Sequence, residues 1–582
     1  MEQSPRKEEF ISQIRQHLKK IYGEETLTEN LTRLEKLIGK YKLHPADPVS
    51  VHDLWTHEDH VLITYADMVK PGMGEDVSKL CKQDQFLREY LNDTVSCVHI
   101  LPFFPSSSDD GFSVVDYRRV DEQLGGWEDI ESMSRNFRLM GDLVMNHASR
   151  HSEWFQGYLN KEEPYDEYFI EVDPDEDLSS VVRPRSSPLL TPIHTKKGEK
   201  FVWTTFSEDQ IDLNFANPDV LFEFLDIFFL YLEKGISIIR LDAVAFIWKK
   251  PGTSSIHLDE THEIIKLFRT LTDYYRPDVT LITETNVPHQ ENISYFGEGD
   301  EAHMVYQFSL PPLLLHGILS ECSTHLTRWV ASLDQLPDNC TYFNFTASHD
   351  GIGVRPLEGL IPREDLDLLV HAIKTKGGFV SEKKNSDGSL SPYELNITYF
   401  DAFKSNDGSI SVQEKRFICS QIIALSLKGV PGIYFHNFTA TKNNIEEVSV
   451  TGRYRTINRM KWEYDELVEK LEIRDSSAHR VFYEMKRIIA IRKQHAAFHP
   501  FGRQKVYDIG PDLFCLLRRD PVKSEFVLVL ANLTGKSKTF DLGDQGLPLE
   551  KSKTYTDLLS EEEFLREGRG ELGAFQAAWI VV

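Results

Sequence analysis

An arginine and an aspartate interrupt the apolar run GISIIRLDAVAF, residues 235–246, at Arg240 and Asp242. A buried charge is costly unless it is paired or has a task. Two residues apart on a strand, both side chains project to one face. Two further acids follow comparable runs: Glu284 closes VTLITE, and Asp350 follows His349 after FNFTAS. A structural ion pair would account for Arg240 and Asp242 alone. Three carboxylates delivered from three strand ends repel one another unless an electropositive ligand or transition state lies among them. Glycoside chemistry needs such a set. A retaining mechanism uses two carboxyl groups about 5–5.5 Å apart, one as nucleophile and one as acid/base. In this reading Arg240 lowers the pKa of Asp242, the nucleophile, and fixes its rotamer. Glu284 protonates the leaving oxygen and then deprotonates the acceptor. Asp350 stabilises oxocarbenium character, and His147 and His349 are polar handles for the same ring.

Elements that deliver side chains to one place must converge. Short β-like runs alternate with helical segments from residue 61 onward: VLITYAD, VSCVHILPF, RLMGDLVMNH, ISIIRLDAVAF, VTLITETN and GVPGIYF. The best-defined unit is the helix NPDVLFEFLDIFFLYLEKG, with Asn217 as N-cap, Pro218 at the first helical position and Gly235 ending it. Helix, glycine and β-branched run make half of a parallel-sheet repeat. Polar residues gather at the C-terminal ends of the runs, at Asp67, Asn146, His147, Asp242, Glu284, His349 and Asp350. A (β/α)8 barrel brings such ends to one mouth. No glycine-rich nucleotide fingerprint favours a doubly wound sheet. The expected architecture is α/β: a helical extension over 1–60, a (β/α)8 TIM barrel over 61–495 and a C-terminal antiparallel β-domain over 496–582. Two inserted subdomains are expected at about 150–215 and 351–405, where long polar stretches fit neither strand nor barrel helix. In FISQIRQHLKKIYG the apolar positions Phe10, Ile11, Ile14, Leu18 and Ile21 recur at helical spacing, as a packing arm requires.

Composition narrows the partners. The 582 residues carry 65 basic and 91 acidic side chains, a formal net charge of -26 that repels phosphate backbones and anionic membranes. Neither nucleic acid nor membrane is expected as a partner. Six scattered cysteines contain no C-x-x-C pair, so buried free thiols in a reducing compartment are expected and zinc is not. MEQSPRKEEF has no apolar signal region, and no apolar run reaches the length of a membrane span. The expected location is cytoplasmic.

DLVMNH, GISIIRLDAV, LITE and TASHD, in this order, resemble the four sequence regions of the α-amylase family. That family implies Asp242 as nucleophile, Glu284 as acid/base and Asp350 as transition-state stabiliser. LITYAD, VHILPFFPSSSDDGF, RPRS, VWTTFSEDQIDLN, FSLPPLLLHG and SHDGIGVRPLEGL resemble its sucrose phosphorylase subgroup over most of residues 61–480. The subgroup cleaves an α-glucoside with inorganic phosphate by double displacement, giving α-glucose 1-phosphate. Phosphate is then a co-substrate, and no metal or organic cofactor is implied. The resemblance places Asp109 and Phe112 of DDGF at the glucose. It places Arg185 of RPRS, Tyr393 of SPYELN and Arg455 of GRYRTINR at phosphate.

Departures bear on the acceptor. Asn286 stands where sucrose phosphorylases have histidine, two residues after the acid/base, and Phe246 replaces a tyrosine. Ser391 and Glu394 replace other polar residues in the acceptor loop. ETNVPH, RTINR and the N-terminal extension are more similar to glucosylglycerate phosphorylases, whose substrate is 2-O-α-D-glucosyl-D-glycerate. Sucrose or glucosylglycerol phosphorolysis, glucoside hydrolysis and non-catalytic sugar binding remain the alternatives. The last would be expected to have lost one of the three carboxylates, and all are present.

Overall fold

The computed structural model describes residues 5–333, 335–385, 389–522, 525–543, 545–550 and 552–582. Of the polar stretch SEKKNSDGSLSPYE, Ser386, Asp387 and Gly388 lie outside the described residues, as do the first four residues of the N-terminal extension. Eight strands close a barrel: β1 (Val61–Thr64), β2 (Cys97–Ile100), β3 (Arg138–Val144), β4 (Ile236–Asp242), β5 (Thr280–Thr283), β6 (Met304–Tyr306), β7 (Thr341–Phe345) and β8 (Val430–Tyr434). Each pairs in parallel with the strands before and after it, and β8 closes on β1. The fold is the expected (β/α)8 barrel. Six strands match the runs singled out in the sequence. The strand β6, MVY, is too short to show a run, and β7 stands out in the sequence only through the motif that follows it.

Local chemistry sets β4 in place. The Asn217 side chain accepts a hydrogen bond from Asp219 N at 2.9 Å, capping the helix Pro218–Glu233. Gly235 turns the chain from that helix into β4 with φ +91, and a Cβ there would lie 2.6 Å from Ser134 Oγ. Only glycine meets both demands without strain.

Two insertions lie above the strands' C-terminal ends. The first carries the helix Glu153–Asn160 and a hairpin of Leu190–Thr195 with Gly198–Trp203, packed around Val172, Leu189 and Trp203. The second carries the helix Arg363–Thr375 and a three-stranded sheet in which Leu390–Asn396 is central. At the other end of the chain, two four-stranded antiparallel sheets occupy Arg503–Val581 and enclose a core of their own. Trp579 Nε1 donates to Ser426 Oγ at 2.8 Å and Arg518 Nη1 to Ser426 O at 2.8 Å, tying these sheets to a barrel helix. Four cysteines are buried, whereas Cys81 is exposed and Cys322 half-buried, so burial does not extend to every thiol. Among the described residues no helix is long and apolar enough to cross a membrane.

The extension forms α1 (Pro5–Tyr22) and α2 (Leu27–Lys40) and joins the barrel's continuous core. Phe10, Ile14, Leu18 and Ile21 are buried and Ile11 partly so. Phe10 stacks on Tyr274 with ring centroids 3.9 Å apart, and Glu263 takes both His17 at 2.8 Å and Lys20 at 2.6 Å. Phe10→Ala should therefore destabilise the protein by about 3 kcal/mol. Chemical denaturation monitored by tryptophan fluorescence measures this; an unchanged midpoint would mean that the arm does not brace the barrel.

Candidate active site

The barrel order makes Asp242 and Glu284 neighbours. Asp242 ends β4 and Glu284 follows β5, which pairs with β4 through Thr283 opposite Leu241. Glu284 N donates to Leu241 O at 3.1 Å, and Glu284 Oε2 accepts from Ala243 N at 3.1 Å. Ala243 has a left-handed backbone, φ +47, an uncommon conformation held immediately after Asp242.

Arg240 lies behind these groups and does not itself line the cavity. Its Nη1 donates to Asp242 Oδ1 at 2.6 Å and to Asp142, and Nη2 is 3.8 Å from Glu284 Oε2. Asp142 is held from its other side by His99 Nε2 at 2.8 Å. Burial raises the Asp142 pKa, but Arg240 and His99 outweigh it and hold the group below its usual value.

The expected depression of the Asp242 pKa does not occur. Burial is the strongest influence and raises it; Arg240 opposes, and the negative fields of Glu284 and Asp142 complete a net upward shift. Glu284 is raised too, by burial first, against Arg240, with Asp350 adding to the rise. Two interacting carboxyl groups titrate as a pair. The direct guanidinium hydrogen bond opposes that rise at Asp242 and favours its charged form. Asp350 goes the other way: burial raises it, but Arg455, His349 and Arg459 hold it well below the carboxylate range.

One cavity at the barrel mouth brings together Asp242, Glu284, Asp350, Asp109, Phe112, His147, His349, Glu394, Arg185, Tyr393 and Arg455. Of the catalytic, sugar-binding and phosphate-binding residues taken from the sequence, Arg240 alone is absent from its wall; Ser391 of the acceptor loop is absent too. Phe112 stacks on His349 at 4.8 Å, and burial lowers the His349 pKa to about 3. His147 Nε2 lies 3.0 Å from Phe112 O, and burial lowers its pKa as well. Both rings are thus neutral hydrogen-bonding groups near pH 7. Asp109, Asp110 and Gly111 have consecutive positive φ, and a Cβ on Gly111 would lie 2.5 Å from Pro102 O. This turn presents Asp109 and Phe112 to the cavity. Asp67 is not part of it: Lys461 holds it at 2.6 Å. Asn146 and Asp212 instead meet the buried Lys249, at 2.5 and 2.6 Å.

The arginines differ in what they hold. Arg455 forks onto Glu394, with Nε–Oε2 3.0 Å and Nη2–Oε1 2.7 Å, and its Nη1 is 2.5 Å from Asp350 Oδ1. Glu394, expected at the acceptor, is therefore occupied by Arg455. Arg459 pairs with Asp110 and donates from Nε to His349 O at 2.9 Å, so it ties the loops together. Arg453 is exposed and lines an outer vestibule shared with Arg185, Tyr393 and Arg455. Arg185 lies over the rings of Phe206 and Tyr393, at 5.7 and 5.5 Å.

Residues 88–351 match the α-amylase catalytic domain. The chain is 46% identical over 530 residues to a glucosylglycerate phosphorylase of Spirochaeta thermophila, covering 90% of each chain. It is 45% identical to a glucosylglycerate phosphorylase of Escherichia coli, covering 84% of this chain and 87% of that one. This chain belongs to the α-amylase family, in its phosphorylase group. The solved structure of sucrose 6F-phosphate phosphorylase from Thermoanaerobacter thermosaccharolyticum is similar at TM-score 0.71 and 26% identity, covering 84% of this chain and 97% of that one.

Asp142 and His99 brace Arg240, and Arg355 and Gln210 line the cavity; none of the four is among the residues singled out in the sequence. Asp142 in RLMGDLVMNH and His99 in VSCVHIL carry the signal that exposed Arg240, a polar residue inside an apolar run. Arg355 opens a single 3-10 turn and Gln210 a three-residue strand, both in the connections between barrel strands, where a polar side chain is ordinary. Removing one partner from a buried pair strands the other. Asp142→Ala should thus lower stability by about 3–5 kcal/mol, read by chemical denaturation. A loss below about 1 kcal/mol would mean that Arg240 does not need this partner.

Proposed function

We propose that this protein is a retaining α-glucoside phosphorylase that converts 2-O-α-D-glucosyl-D-glycerate and inorganic phosphate to α-D-glucose 1-phosphate and D-glycerate. The likeness to a glucosylglycerate phosphorylase over 90% of both chains carries the choice of substrate. The geometry supports the reaction type: three carboxylates from three strand ends share one cavity with arginines on its outer side.

The ionised Asp242 attacks C1 of the glucosyl group as Glu284 gives its proton to O2 of the departing glycerate. A β-glucosyl ester on Asp242 results. Asp350, held ionised by its cationic neighbours, faces the developing positive charge at the ring. Phosphate then attacks C1 from the side that glycerate left, Glu284 takes its proton, and the ester bond to Asp242 breaks. Retention follows from two inversions. Phosphate would be met by Arg185, Tyr393 and Arg455, and for Arg455 this requires loosening its hold on Glu394 or Asp350. The glucosyl ester must outlast collisions with water, so a closed cavity favours phosphate as acceptor.

Glucose 1-phosphate release from glucosylglycerate and from sucrose, each with and without phosphate, tests the reading. Phosphate-dependent release from glucosylglycerate is expected. Release from sucrose alone would keep the mechanism and move the acceptor, and free glucose formed without phosphate would mean hydrolysis. Asp242→Asn should remove turnover by a factor of about 10⁴ or more with the fold intact.

The pH profile follows from the carboxyl pair. Glu284 works as an acid, so kcat/KM falls as pH rises through its pKa, which lies above the ordinary 4.5. Asp242 works as an anion, so activity also falls as the pair gains its second proton. With α-glucosyl fluoride, whose leaving group needs no proton, Glu284→Gln should still form the glucosyl-enzyme and lose the alkaline limb. Persistence of that limb would assign it to another group.

A further inference from the structure

An acceptor that carries a carboxylate approaches a wall already lined by Asp109, Asp242, Glu284, Asp350 and Glu394. It can stay only beside a cation that these acids have not neutralised. Three arginines face the cavity: Arg185, Arg355 and Arg455. Arg455 is held by Glu394 and Asp350. Arg185 faces both the cavity and the outer vestibule, which suits an anion arriving from solvent.

Arg355 faces the inner cavity and not the vestibule. Its side chain is 15% exposed, and the nearest acid, Glu291, is 3.5 Å from Nη2. That acid is 41% exposed and also meets His257 at 3.2 Å. The contact is long and partly solvated, so it leaves most of the guanidinium's donors open to a second anion.

Position agrees with charge. Glu284 gives its proton to the acceptor oxygen, so the acceptor abuts Glu284. The chain just beyond Glu284 reaches Asn286, which packs on Gly353: a Cβ there would lie 2.6 Å from Asn286 Nδ2. Arg355 follows two residues later. Among the described residues Asn286 Oδ1 is buried without a hydrogen-bond partner, a vacant acceptor in the same wall.

Building on the phosphorylase reading above, we infer that Arg355 holds the acceptor's carboxylate while Asn286 Oδ1 accepts a hydrogen bond from its hydroxyl. This corner selects a short hydroxy acid over a neutral polyol. Glu291 tempers Arg355 and so limits affinity for the acid.

The test runs the reaction in synthesis, with α-glucose 1-phosphate as donor and D-glycerate or glycerol as acceptor. Arg355→Met should cut the glycerate-over-glycerol ratio of kcat/KM by roughly tenfold to a hundredfold, chiefly through KM, with partial rescue by Arg355→Lys. Glu291→Gln, an exposed change, should raise the same ratio by about twofold to fivefold. Equal losses for the two acceptors in Arg355→Met, or an unchanged ratio in Glu291→Gln, would overturn the assignment. Should the Met variant fail to fold, the Glu291→Gln ratio decides. Wild-type protein that glucosylates glycerol but not glycerate would instead defeat the choice of substrate, and this inference with it.

Discussion

The guanidinium of Arg240 is the charge on which the barrel mouth depends. Asp142, Asp242 and Glu284 are gathered around it. Without a buried cation, three carboxylates at this spacing would protonate or force the strands apart. With it, each of the three has a cation within 4 Å, and Asp142 and Asp242 are hydrogen-bonded to it directly. The arginine does not touch the cavity; it acts through the groups that do. The link from His99 through Asp142 to Arg240 in turn fixes the guanidinium on three barrel strands, β2, β3 and β4.

The remaining charges are arranged outward from that centre. Asp350, unlike the Asp242–Glu284 pair, has several cations around it and stays ionised. Arg455 couples it to Glu394 on the second insertion, and Arg459 couples Asp110 to the backbone of His349. The loops over the mouth are thereby joined to one another through arginines as well as through apolar contacts such as Leu395, Ile397 and the Phe379–Tyr454 stack. The arginine joints are exchangeable: a phosphate oxygen can replace a carboxylate oxygen on the same fork. An apolar lid would offer no such exchange.

Much of this was legible because a polar residue inside an apolar run is conspicuous. Arg240, Asp242 and Glu284 are legible in that way, Asp350 through the SHD motif after FNFTAS, and Asn217, Pro218 and Gly235 mark the helix that positions β4. The strand β6 was not legible, since three residues show no period. The fate of Glu394 was not legible either: a glutamate in a polar loop reads as a substrate ligand or as surface, and only the approach of Arg455 from 61 residues away shows it as an ion-pair partner. The pKa of Asp242 departs from the sequence expectation for a related reason. The sequence displays the neighbouring arginine, but burial, the larger influence, is a property of the assembled barrel.

The sequence by itself determined which chemistry is available: three carboxylates on strand ends, an arginine two residues before one of them, and a strand-helix repeat that must close to bring them together. Those are consequences of side-chain type and of periods of two and 3.6 residues, which are local. Only the tertiary structure decided which cations are neutralised and which are open, because that depends on distances between residues far apart in the chain. It is also what separates Arg355 from Arg455, two arginines alike in sequence and different in what surrounds them.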